Sequence, residues 1–147
     1  MTKRLPVRSI VCVLWMLNSA IGARVAIRED LPGEFAGMTR WHDPSADFFS
    51  GGGTALSPGL PMMAAQAVFT VLSTRDGRAG KVGAAGLAVL GAGATVGVLG
   101  EPITYRVLAP RKFDSAKAPI VSAAIILSAL MTILSTSRLR TLRSGDT

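Results

Sequence analysis

The sequence predicts an all-α membrane protein, a four-transmembrane-helix bundle with both termini cytoplasmic, and three observations carry that expectation. First, 49% of the 147 residues are hydrophobic, only 17% are charged and the mean hydropathy is +0.42, too apolar a balance for an ordinary water-soluble domain. Second, the charges fall in clusters between four apolar blocks instead of alternating with apolar residues. Third, each block approaches the roughly 20 apolar residues that a helix needs to cross a hydrocarbon core of about 30 Å. Four spans leave little chain for anything else. Residues 1–147 therefore read as a single integral membrane domain with one long outer loop, residues 28–56.

The first span, about residues 7–27, is interrupted only by Arg8, Asn18 and Arg24. Lys3 and Arg4 before it, with Ser19, Ala20, Gly22 and Ala23 near its end, imitate a secretory signal. The apolar run is long for a signal and three more blocks follow, so an uncleaved helix is expected. The second span, about 56–73, carries Pro58 and Pro61 near its start, where proline suits a first helical turn. The third, about 82–108, is glycine-rich and holds Glu101, Pro102 and Arg106 in its last third. The fourth, about 119–137, has no charge at all, with Asp114 or Ser115 as its cap. The single cysteine, Cys12, rules out an intrachain disulfide and a cysteine metal cluster.

Orientation follows from the basic residues. With both termini inside, Lys3, Arg4, Arg8, Arg75, Arg78, Lys81, Arg138, Arg140 and Arg143 face the cytoplasm against Asp76 and Asp146, and the outer side is neutral. The whole formal charge of +7 then lies on one side, so the high pI reflects topology. Nucleic-acid binding asks for a basic face on a soluble fold and is not expected. The bias toward Ala, Gly, Arg and Val suits a GC-rich bacterium, which places the protein in a bacterial inner membrane.

Glu101 is the most informative residue. A carboxylate in an apolar block is costly and marks a boundary, a pair or a chemical site. Gly86, Gly93, Gly97 and Gly100 form a stripe on the third span, and Gly93 with Gly97 makes a small-xxx-small pair expected to face another helix. That face also suits a homodimer. Glu101 follows Gly97 by four residues, so a continuous helix turns it inward. At about 1.5 Å per residue it lies roughly 28 Å from the inner boundary and Arg24 roughly 25 Å, which makes Arg24 a candidate ion partner. Tyr105 and Arg106 are the alternatives. If the helix stops at Gly100 instead, Glu101 is a loop residue.

Asn18 and Gln66 fall near the midplane, where an amide needs a partner or a cavity. Gln66, Thr70 and Ser73 share one helical face, and Ser128, Thr132 and Ser135 another; such stripes more often join helices than line pockets. Met62 and Met63 would supply an adaptable wall beside the amides. In the loop, Asp43 and Pro44 open a short helix that ends at Gly51. Trp41, Phe48 and Phe49 would pin it over the bundle mouth. His42, the only histidine, suits proton transfer near neutrality. One histidine among scattered carboxylates lacks a metal-ligand spacing, and Gly51, Gly52 and Gly53 lack a P-loop lysine, so no metal and no cofactor are expected.

The four-span layout, the long first outer loop and the third-span ending GEPITYRVLAP resemble the small bacterial membrane proteins of the anthrone-oxygenase-like and DoxX-like groups. The layout covers most of the chain and the motif only residues 101–108. Where the anthrone-oxygenase-like group carries an asparagine-containing proline motif, this chain has Glu101, Pro102 and Thr104. The resemblance implies a cofactor-independent tailoring enzyme, of cyclase, isomerase or oxygenase type, for a lipophilic small molecule. The residues themselves point to acid/base chemistry on the outer-leaflet side. In that reading Glu101, Arg24, Tyr105 and His42 are catalytic, and Asn18, Gln66, Trp41, Met62, Arg106 and Asp43 bind substrate. The competing class is a non-catalytic accessory subunit or a small transporter.

Overall fold

The computed structural model describes residues 6–35, 38–39 and 43–144. Its elements are α1 (Val7–Arg28), a two-residue hairpin of β1 (Glu34–Phe35) and β2 (Met38–Thr39), α2 (Pro44–Ser50), α3 (Leu60–Ser73), α4 (Gly77–Gly100), α5 (Pro102–Leu108) and α6 (Ala118–Ser144). α4 packs chiefly on α6 and α3, α1 packs on α6, and α1 touches α3 lightly. The long helices thus form a ring in the order α1, α6, α4, α3, with α1 and α4 diagonally opposed.

Much of the exterior is apolar. Ile10, Leu14, Leu17 and Ile21, one stripe of α1, are between 45% and 56% exposed, while Cys12, Trp15 and Ser19 are buried. In water so much exposed aliphatic surface would drive association, whereas facing lipid it costs nothing. α1, α4 and α6 are long and apolar enough to cross a membrane.

The second block does not match its expected length. α3 has 14 residues, about 21 Å at the usual rise, against a core of roughly 30 Å. Hydropathy reads 56–73 as one run, but the chain at 51–59 folds under the outer loop first. Leu56 is buried with Ala26, Val107 and Val121 without being helical, and a side chain at Gly22 would collide with its carbonyl. Gly51 and Gly53 hold φ values of +103° and +80°, which favour glycine and let the chain double back before α3 begins.

The third block breaks at its proline. Pro102 disfavours helical geometry at the preceding residue, and Glu101 takes an extended conformation, φ −80° and ψ 126°. α4 ends at Gly100 and α5 restarts at Pro102. The carbonyls left open by the break are capped locally: Thr104 Oγ1 donates to Val98 O at 2.6 Å and the Tyr105 hydroxyl to Leu99 O at 2.8 Å.

The polar stripes mainly join helices. Gln66 Nε2 on α3 donates to Cys12 O at 3.1 Å, Asn18 Nδ2 on α1 to Ile120 O at 3.1 Å, and the hydroxyls of Thr95 and Ser128 lie 2.8 Å apart between α4 and α6. At the other end of the bundle buried Arg8 donates from Nη2 to Ser73 O at 2.7 Å and from Nε to Ser73 Oγ at 3.2 Å. A cation there meets the negative end of α3. Arg8→Met keeps most of the stem and loses both bonds, so we expect stability in detergent to fall by about 1.5–3 kcal/mol, read from chemical unfolding. An unchanged unfolding midpoint would show that the contact is incidental.

Candidate functional site

A cavity of about 230 Å³ occupies the diagonal gap between α1 and α4, toward the C-terminal end of α4. Trp15 and Ser19 come from α1, Met62 from α3, Gly93, Ala94, Gly97, Val98 and then Glu101 from α4 and its end, and Val121 and Ala124 from α6. Residues 51–52 and 54–59 form the roof. That roof is fastened to the preceding loop by the bridge between Pro32 and Thr54 and by Ala55 N donating to Leu31 O at 3.4 Å.

The glycine stripe has a different role from the one expected. A side chain at Gly86 would meet the Phe69 ring at 2.6 Å, so that glycine does face a helix. At Gly97 nothing lies within 4 Å, and at Gly93 only Met62 Cε at 4.0 Å. The two glycines make room for the cavity. The tight contact with α6 belongs to Gly91, where a Cβ would lie 2.5 Å from Thr132 Oγ1 and 2.9 Å from Ser128 O. Met62, near the start of α3, is the one atom group a Cβ at Gly93 would meet, and one turn further along α4 the space beside Gly97 is open.

Glu101 is half-buried and is the only charged residue among those lining the cavity. Its Oε2 accepts from Glu34 N at 2.9 Å. The expected ion pair with Arg24 is not formed: Arg24 lies on an exposed face of α1 and has no ion pair among the described residues. The helix break explains this, because an extended Glu101 turns toward the loop after α1 and the first amide of its hairpin. Burial pushes the Glu101 carboxyl up from its ordinary value; the Glu34 N–H opposes that shift and the Glu34 carboxylate adds to it.

Of the other expected site residues, Met62 lines the cavity. Tyr105 is 63% exposed with its hydroxyl committed to Leu99, and Arg106 is exposed. Asn18 and Gln66 do not line the cavity, because their amides bridge helices. Asp43 caps α2, accepting from Ser45 N at 2.8 Å, as its place before Pro44 predicts. Trp41 and His42 lie outside the described residues. Sequence reasoning missed Trp15, Ser19 and the 54–59 segment, although an aromatic on the small-residue face of the first span was a readable signal for Trp15. Among the described residues no group of three His, Cys, Asp or Glu side chains is placed to hold a metal ion.

These features define a class: a helical membrane protein, with three helices able to span a bilayer and an acidic cavity under an extramembrane loop. Comparison with family models, curated proteins and solved structures finds no match for this chain.

Proposed function

We propose that this is a multi-pass protein of the bacterial inner membrane, four helices embedded and both termini cytoplasmic, that takes up a lipophilic small molecule on the outer-leaflet side and exchanges a proton with it through Glu101. The observation that carries the reading is one carboxylate, raised in pKa by burial, in a cavity whose other described lining residues are uncharged. The cavity is about one and a half times the roughly 150 Å³ space that takes benzene, so a substituted ring or a fused pair fits. The open space beside Gly97 of α4 supports entry from the lipid. Such a site suits a tailoring enzyme of isomerase type, in which one acid/base group suffices.

The test is exchange of solvent deuterium into carbonyl and imine compounds of one or two rings, mixed with the protein in lipid nanodiscs. Exchange above the protein-free rate, lost in Glu101→Gln, is the expected result; no exchange with any compound would sink the enzymatic reading. One observation favours binding without turnover: of the three described residues expected to be catalytic, Glu101, Arg24 and Tyr105, only Glu101 lines the cavity. A carrier or accessory subunit needs no second catalytic group.

Gly97→Leu separates the cavity from the rest of the fold. A Cβ at this position has nothing within 4 Å, so the added side chain grows into the cavity that Gly97 lines. We expect ligand-induced thermal shifts to disappear while the melting temperature without ligand stays within about 2 °C. Retained shifts would place the ligand elsewhere.

A further inference from the structure

The chemistry around Glu101 narrows what the cavity holds. No lysine or arginine pairs with Glu101 among the described residues, and the nearby cation Lys117 is engaged by Glu29 at 2.8 Å and Asp114 at 2.6 Å. Oε2 has its donor in Glu34 N, while Oε1 has none among the described residues. Among the described residues that line the cavity no cation stands beside this carboxylate. Toward the floor lie the Trp15 indole and the Met62 thioether, both of which accept a cation or a ring against their soft surfaces. Trp15 packs with Ala94, seven residues before Glu101, so floor and mouth are about 10 Å apart.

We propose that the occupant is a lipophilic amine, its ring on Trp15 and Met62 and its nitrogen at Glu101. The inference rests on the reading that the cavity takes a small lipophile, and it is independent of turnover. A neutral lipophile leaves the ionised carboxylate uncompensated, and an anion meets a like charge. An amine forms a carboxylate–ammonium pair; when the carboxyl arrives protonated, its proton passes to the nitrogen and the same pair results. The basic nitrogen is then the atom with which Glu101 exchanges its proton.

The experiment uses three probes of one shape: 4-phenylbutylamine, 4-phenylbutanol and 4-phenylbutyrate, titrated into the full chain in nanodiscs at neutral pH. Binding is read by titration calorimetry on the unsubstituted chain. The amine is expected to bind at least about tenfold more tightly than the alcohol, with the acid weakest, and Glu101→Gln should bring amine and alcohol together. Equal binding of amine and alcohol by the unsubstituted site overturns the amine assignment and leaves the small-lipophile reading standing. Failure of all three to bind removes both. Because the amine-to-alcohol ratio is measured with Glu101 present, the test holds even where the glutamine variant does not fold.

Discussion

Glu101→Gln will lower turnover of a lipophilic substrate by about a hundredfold or more while the protein purifies and melts much as before. The amide oxygen can still accept from Glu34 N, so the loop keeps its fastening. What disappears is a group that can gain or lose a proton. Stability should move slightly upward at neutral pH. Burial raises the folded pKa above the unfolded one, so Glu101 favours the folded state most below the unfolded value, and that contribution declines as pH rises through the folded value. The glutamine variant should lose this slope, which melting curves at several pH values will report. A collapse in stability would instead assign Glu101 to holding the loop, and the acid/base role would fail.

Gly91→Leu will damage the packing of α4 on α6. The position lies against Ser128 and Thr132 of α6, where a Cβ would come within 2.5 Å of Thr132 Oγ1 and 2.9 Å of Ser128 O. A larger side chain must push these helices apart and break the hydroxyl pair between Thr95 and Ser128. Overpacking of this kind typically costs about 1–3 kcal/mol, and the lost hydroxyl contact adds to it. Gly93→Leu, two residues on, meets only a flexible methionine end and should be far milder. Equal loss of folded protein from both substitutions, measured by size-exclusion recovery after heating, would contradict the packing described.

These contrasts show which readings were available locally. The α2 helix was legible to the residue, because Asp43, Pro44 and Gly51 act within a few positions of one another. Cap, first-turn proline and terminating glycine need no distant partner. The inter-helix use of the polar stripes was legible in kind, since a buried hydroxyl or amide must find a bond, but its partners were not. The glycine stripe misled for the same reason: spacing tells which residues share a face and is silent about what lies opposite.

The partner of Glu101 was beyond reach for a further physical reason. Equal height above the membrane pointed to Arg24, an argument that assumes a straight helix. Pro102 broke that helix, and the outer loop, 67 residues earlier in the chain, brought an amide to the carboxylate.

Composition and clustering of charge determined by themselves that this chain is helical and built to meet lipid, because the cost of exposing a backbone to hydrocarbon leaves few alternatives. They also marked Glu101 as exceptional. Only the tertiary structure decided that the second apolar block is a short helix behind a folded-in loop, that Gly93 and Gly97 border space instead of a helix, and that the carboxylate stands at the mouth of a cavity with a loop amide as its partner. Hydropathy measures what a segment can be buried in; which segments meet, and where they leave a gap, depends on contacts between residues far apart in the chain.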